Sequence, residues 1–188
     1  MDFSEPKFTA VHHRNVWGEW TFIFEGAKLC ALQFSDSSEK KSKNVRPSSV
    51  KACAYAGPET ETVLHGRIAK AYANVDKELN LYLTGKLREF STPIKMYGTD
   101  FQLAVWNYAR SIPYGETRTY KQVANAIGHS RAERAVGNAL HKNPLQVIVP
   151  CHRIISSRGK LSGYALEIDI KRRLLCMEGA IQNELELE

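Results

Sequence analysis

Three times between Thr99 and Pro144 the chain spells out the start of a helix, and each time a stop follows soon after. Thr99-Asp100-Phe101-Gln102 and Thr119-Tyr120-Lys121-Gln122 have the Thr-x-x-Gln form of a capping box, and Ser130-Arg131-Ala132-Glu133 has the Ser-x-x-Glu form. In such a box the hydroxyl accepts from a backbone N–H one turn ahead while the Gln or Glu side chain reaches back, satisfying two donors that the helix itself leaves unpaired. Phe101, Val105, Tyr108 and Ile112 continue the first helix at helical spacing until Pro113-Tyr114-Gly115 ends it. Tyr120, Val123, Ala124 and Ile127 form the second, stopped at Gly128, and Pro144 must end the third. Only Gly128-His129-Ser130 separates the second from the third, the signature of a helix-turn-helix.

The third helix divides its faces. Arg131, Arg134, Asn138 and His141 recur at steps of three, four and three and so share one side. Val136 and Leu140 mark the apolar side, while Ala132, Ala135, Gly137 and Ala139 are small. Small residues between basic ones let a helix approach another surface closely while the charges reach past it. A solvated helix that uses Ala for its propensity fits the same residues. From Arg110 to Arg173 there are twelve Lys/Arg against four acids, whereas Glu178 to Glu188 holds four acids and no Lys or Arg. A basic middle fits an anionic partner or a merely basic surface, and with the helix-turn-helix before it nucleic acid is the favoured partner.

After Pro144 comes Leu145-Gln146-Val147-Ile148-Val149-Pro150, leading into Cys151-His152-Arg153. The apolar, β-branched run reads as a buried strand or extended segment that Pro150 terminates. A thiol beside an imidazole and a guanidinium is a setting that lowers a cysteine pKa and makes a nucleophile. An inert cysteine at a strand end fits these three residues equally well.

The N-terminal half is plainer. Trp17–Phe24 and Leu29–Phe34, joined through Glu25-Gly26, read as a β-hairpin. Ser35–Ser49 reads as a surface loop, Ile68, Tyr72, Val75, Leu79, Tyr82 and Leu83 as a helix stopped at Gly85, and Phe90–Tyr97 as a short extended piece. The boundary between two lobes is placed at Gly98, giving residues 1–97 and 98–188, and the first lobe carries no recognisable chemistry. Cys30, Cys53, Cys151 and Cys176 include no C-x-x-C pair, which argues against a disulfide framework. His12, His13, Cys30, Cys53 and His65 match no compact zinc spacing, so no metal is expected. Without an apolar leader or a long apolar run, an intracellular protein is expected, nuclear in a eukaryote and cytoplasmic in a prokaryote.

The ordered series Phe101-Gln102…Val105-Trp106, Pro113-Tyr114-Gly115-Glu116-Thr117, Thr119-Tyr120, Arg134-Ala135-Val136-Gly137, Asn143-Pro144, Ile148-Val149-Pro150-Cys151-His152-Arg153-Ile154-Ile155, Gly163-Tyr164 and Glu178-Gly179 resembles the O6-alkylguanine-DNA alkyltransferases, also called methylated-DNA–protein-cysteine methyltransferases. The resemblance runs from Thr99 to Gly179 and is only vague before that. It implies an α+β fold in two lobes: a ribonuclease-H-like N-terminal lobe with a small antiparallel sheet and helices, then a mostly helical winged-helix or helix-turn-helix lobe.

It further implies DNA repair by direct reversal. An O6-alkylated guanine, and by extension an O4-alkylated thymine, is flipped from the duplex because a thiol cannot attack it while stacked. Its alkyl group then passes to Cys151 as a thioether, once per molecule and with no cofactor. Under this resemblance Cys151 is the acceptor, His152 the base and Glu178 the acid that orients it. Glu178 also stands out alone, because a carboxylate near a helix C-terminus opposes the dipole. Tyr120 looks like the phenol that hydrogen-bonds the departing guanine, Arg134 the finger entering the stack, and Asn143 the hinge behind the Cys151 segment. Tyr164 resembles the aromatic wall of the base pocket, the backbone at Ile154 reads the guanine edge, and Arg131, Ala132, Ala135, Asn138 and Arg153 join the DNA-binding set. The implied partner is double-stranded DNA with an alkylated guanine, bound by a monomer through the minor groove with little sequence preference. No membrane is involved. Ala165-Leu166-Glu167 departs from the glycines of many relatives, and Gln146 stands where some carry a proline that packs on bulky benzyl groups.

Overall fold

The structure is a computed structural model that describes residues 8–35, 66–157 and 168–181. Three antiparallel strands open the fold: β1 (Thr9–Asn15), β2 (Gly18–Glu25) and β3 (Lys28–Ser35), in the order β1-β2-β3. The expected hairpin is β2–β3, turning at Gly26-Ala27 with Gly26 at φ +55°, a conformation that costs glycine little. Strand β1, paired from Thr9↔Phe24 to Asn15↔Gly18, was not foreseen. Its alternation of Val11 with His12, His13 and Arg14 hides the apolar period on which a strand reading depends.

Helix α1 (Gly66–Leu83) lays Val75, Leu79, Tyr82 and Leu83 into the core. Gly85, at φ +71°, turns the chain away, and Lys86 N–H bonds back to Leu81 O at 2.8 Å, so the expected stop holds. Glu78 then pins the following segment by accepting from the backbone N–H groups of Ser91 and Thr92, each at 3.0 Å.

The outer edge of β3 is closed by later parts of the chain, first around Ile94 and then around Leu145, an arrangement that removes an exposed edge. Leu29 N–H donates to Pro93 O (2.9 Å) and accepts at its carbonyl from Lys95 N–H (2.9 Å). Further along, Leu32 N–H donates to Pro144 O (2.8 Å), and Gln146 N–H donates to Leu32 O (3.0 Å). The buried apolar cluster runs without interruption from Trp20, Phe22 and Leu32 through Val75 and Leu79 to Trp106, Val136, Leu140, Leu145 and Leu174. One core therefore serves both halves.

Helices α2 (Asp100–Ser111) and α3 (Tyr120–Ala126) begin in the reciprocal boxes of Thr99 with Gln102 and Thr119 with Gln122. The two-residue strand β4 (Arg118–Thr119) pairs in parallel with β5 (Ile154–Ile155). Helix α4 (Glu133–His141) corrects the third box: its N-cap is Ala132, which makes no side-chain cap, and Ser130 lies in the preceding turn. Gly128 (φ +77°) and Arg131 (φ +70°) both take left-handed conformations, and Ala132 N–H bonds to His129 O at 3.1 Å. Aligning α4 beside α3 needs this tight turn, so the helix start moves two residues on and Arg131 leaves the helical face.

The run 145–150 is buried as expected but is not a strand. Val147 sits at φ +71°, rare for a β-branched residue, and Ile148 N–H bonds to Gln146 O while Val149 N–H bonds to Leu145 O, at 2.9 and 2.8 Å. The segment folds back on itself because its ends are held elsewhere, by β3 and by Asn143. Helix α5 (Ile168–Met177) completes the described fold, and no helix among the described residues is long and apolar enough to cross a membrane.

Candidate active site

Cys151 opens a single 3-10 turn, Cys151–Arg153, and is 4% exposed. Pro150, at φ −80° and ψ 66°, makes a three-residue turn closed by Cys151 N–H to Val149 O at 2.8 Å. Asn143 braces this loop from behind. Its Nδ2 donates to Val149 O (3.0 Å) and to Cys151 Sγ (2.9 Å), and its Oδ1 accepts from Leu145 N–H (2.9 Å).

Burial pushes the thiol up to about 12, against the Asn143 hydrogen bond and the charge of Lys171, which act the other way. The sequence expectation of a thiol activated by its two neighbours is corrected here. Burial is the largest influence on His152 too, and it lowers that pKa, leaving a neutral imidazole. Arg153 is turned away: its Nε and Nη2 donate to Glu178 at 2.9 and 3.1 Å, and its Nη1 donates to Ile112 O at 2.6 Å. At 6% exposure Arg153 is an internal clamp, so its assignment as a DNA contact does not hold.

Glu178 is the hub. It follows the last turn of α5, where Gly179 at φ +72° ends the helix and Ala180 N–H bonds to Leu175 O at 3.0 Å. Its Oε1 lies 2.7 Å from His152 Nε2 and accepts from Tyr82 Oη, and its Oε2 accepts from Gly115 N–H at 3.2 Å. Burial opposes ionisation here, but the bonds from His152, Arg153 and Tyr82 prevail and hold the carboxyl at about 2. A carboxylate only accepts, so the hydrogen between the pair belongs to His152 Nε2, and Nδ1 is left with its lone pair. Adjacent Cys151 and His152 thus share one turn, with Nδ1 on the side away from Glu178.

Tyr120, half-buried at the start of α3, has its pKa raised by burial and then by the nearness of Cys151, since phenolate and thiolate would repel. Its ring lies under α4, where a Cβ on Gly137 would stand 3.7 Å from Cε1. Tyr120, Arg134, Gly137, Asn138 and His141 line one open cavity of about 700 Å³ together with Ser156 and Ser157. Arg131, Ala132 and Ala135 stand outside that lining: Arg131 is exposed in the turn, Ala132 is half-buried and Ala135 is exposed. Ile154 is fully buried, and its carbonyl accepts from Lys171 Nζ at 2.6 Å. Tyr164, the Ala165–Glu167 stretch, Cys53, His65 and the Ser35–Ser49 loop beyond Ser35 lie outside the described residues. Gln146 is turned from the site altogether, its Oε1 accepting from Phe34 N–H at 2.7 Å.

Two residues near the chemistry escaped the sequence reading. Tyr82 belonged to the apolar stripe of α1, and its hydroxyl was the overlooked signal, since a buried phenol needs a partner. Lys171 is 1% exposed, with its pKa brought down to about 8 by burial against the opposing pull of Cys151. A lysine at an inward position of an amphipathic helix was its signal.

Residues 100–180 match the family model for the DNA-binding domain of 6-O-methylguanine DNA methyltransferase. A methylated-DNA–protein-cysteine methyltransferase of Methanosarcina acetivorans is 48% identical over 109 residues, 58% of this chain and 70% of that protein. An inducible one of Bacillus subtilis is 44% identical over 110 residues, 58% of this chain and 62% of that protein. Among solved structures, the Mycobacterium tuberculosis O6-methylguanine methyltransferase superposes with a TM-score of 0.70 at 34% identity, covering 92% of this chain and 93% of that one. Mycobacterium tuberculosis OGT in complex with DNA gives 0.71 at 33% identity, covering 92% of each chain. A buried thiol braced by an amide, a neutral imidazole locked on an ionised carboxylate, and a shared sequence and fold agree: this chain belongs to the methylated-DNA–protein-cysteine methyltransferase family.

Proposed function

We propose that this protein repairs DNA by taking the alkyl group of O6-alkylguanine, and of O4-alkylthymine, onto Cys151. The observation that carries the reading is the Asn143–Cys151 contact at 2.9 Å beside the His152–Glu178 pair at 2.7 Å, both buried and meeting at the one turn that holds Cys151 and His152. With the thiol at about 12, the thiolate at pH 7 lies about 7 kcal/mol above it. A resting nucleophile is therefore not available, and His152 Nδ1 takes the proton, directly or through a water, as attack proceeds. The Sγ–carbon bond forms as the carbon–O6 bond breaks, and the electron pair stays with the guanine. Asn143 and protonated Lys171 steady the sulfur, while the Tyr120 phenol donates to the departing base. The thioether is stable in water, so each molecule reacts once and no cofactor enters.

The helix, turn and helix of α3 and α4 act as a helix-turn-helix within the DNA-binding and alkyl-acceptor lobe, residues 98–188, of winged-helix type. Residues 1–97, a ribonuclease-H-like lobe, support it. Arg134 and Asn138, exposed on α4 over the cavity that Tyr120 lines, fit a minor-groove approach to a flipped base. Arg131, Ala132 and Ala135 serve the same face, and Tyr164 walls the base. Phosphate contacts supply affinity with little sequence preference, by a monomer inside the cell, in the nucleus or cytoplasm according to its source. The test is intact mass after incubation with an O6-methylguanine duplex. One methylene is gained, and it is lost from Cys151→Ala. Lesion-selective binding without any mass gain would instead make the protein a damage-recognition module.

A further inference from the structure

Tyr82 comes from the last turn of α1, in the half of the chain that the sequence left without chemistry. Its ring is 1% exposed and fixed between Phe90, with centroids 5.0 Å apart, and Tyr114, edge-on at 6.0 Å. The hydroxyl meets both members of the relay: it donates to Glu178 Oε1 and lies 3.2 Å from His152 Nε2.

The bookkeeping of protons gives this contact a direction. A phenol has one hydrogen, and Glu178, held ionised by Arg153, can only accept it. The phenolic oxygen is then left as an acceptor facing Nε2. Two acceptors, Glu178 Oε1 and Tyr82 Oη, thus converge on the same imidazole N–H and keep it there. We propose that Tyr82 is a positioning residue for alkyl transfer: one phenol from the N-terminal half fixes the ring plane and tautomer of His152, so that Nδ1 is the unprotonated nitrogen that takes the Cys151 proton. The proposal rests on the reading of Cys151 as acceptor and His152 as base.

The groups facing His152 are Tyr82 from α1, Glu178 and Lys171 from α5 and its end, and Arg153 and Cys151 from its own turn. By donating to Oε1, Tyr82 draws off part of the negative charge that favours imidazolium. Removing the hydroxyl makes His152 easier to protonate, and protonated His152 is no base.

Tyr82→Phe keeps the ring between Phe90 and Tyr114 and deletes only the hydroxyl. Wild type and Y82F are compared by single-turnover transfer from a saturating O6-methylguanine duplex between pH 5.5 and 9, affinity for unmodified duplex, final methylation stoichiometry, and nitrogen-15 spectra of the His152 ring. Y82F is expected to transfer about tenfold more slowly. Its acid limb should move to higher pH, with affinity and stoichiometry unchanged. The wild-type spectrum should show Nε2 protonated and Nδ1 bare, and Y82F a mixture. An unchanged rate and pH profile in Y82F would overturn the proposal, as would a lower stoichiometry at unchanged rate, which marks a merely structural residue. If the wild-type chain gains no mass, the reading of Cys151 fails instead, and the two spectra still decide whether Tyr82 sets the tautomer.

Discussion

Replacing Asn143 separates what holds the active-site loop together from what steadies the reacting sulfur. Asn143→Ala removes the acceptor of Leu145 N–H, a buried donor (2.9 Å), and one of two donors to Val149 O, which keeps Cys151 N–H at 2.8 Å. An orphaned buried N–H costs about 1–3 kcal/mol and the lost bond to Val149 O about 1 kcal/mol, so stability should fall by about 2–4 kcal/mol. The donor to Sγ goes as well, and a hydrogen bond to a charged partner contributes about 1.5–3 kcal/mol, so transfer should slow by about 10- to 150-fold. Asn143→Asp keeps an acceptor for Leu145 N–H but puts a carboxyl against Sγ. It should recover part of the urea midpoint while transferring more slowly than the alanine variant. The assays are urea unfolding and single-turnover transfer at saturating duplex. A variant pair that falls together in both, or an alanine variant within about 0.5 kcal/mol of wild type, would refute this division of roles.

Three further outcomes follow from particular contacts. A Cβ on Gly98 would stand 2.7 Å from the fully buried Trp106 ring, whose Nε1 donates to Ala139 O at 2.9 Å. Gly98→Ala should therefore cost about 2–4 kcal/mol in thermal or urea unfolding, through overpacking and strain on that bond. Glu178 is held at about 2, below its ordinary 4.5, so its stabilisation is whole above pH 4.5 and lost as pH falls towards 2, about 3 kcal/mol in all. Urea midpoints should drop steeply over that window, and Glu178→Gln should flatten the drop while destabilising the protein at pH 7 by leaving Arg153 buried without its counter-charge. Lys171 is protonated below about 8, where its charge favours the Cys151 thiolate. Lys171→Met should slow transfer at pH 7, and the deficit should shrink in rate measurements taken above pH 8.

The parts that the sequence made legible are those written in local chemistry. Two of the three capping boxes are in place, because Thr and Gln at that spacing satisfy the helix start without help from the rest of the fold. Gly85 and Gly128 stop helices where expected, both at positive φ. What failed was set by distant partners. Ser130 has the residues of a box, yet the packing of α4 against α3 demanded a turn there, and tertiary geometry overrode the motif. Val147, a strong strand former, is bent to φ +71° because Leu32, far away in sequence, and the side chain of Asn143 fix the ends of its segment.

The same rule explains the site. Arg153 sits next to His152 in sequence and was assigned to DNA, but Glu178, 25 residues further on, holds it inside the protein. Adjacency along the chain says nothing about direction inside a 3-10 turn, where consecutive side chains diverge. Tyr82, 96 residues before Glu178, was invisible as chemistry because an apolar stripe accommodates a tyrosine ring without showing where its hydroxyl goes. A buried donor must nonetheless be satisfied, and so must the buried ammonium of Lys171, which finds Ile154 O. Polar atoms placed on an otherwise apolar face are therefore the local trace of long-range chemistry. Tyr82 and Lys171 are two such residues, and each leads to the turn that carries Cys151.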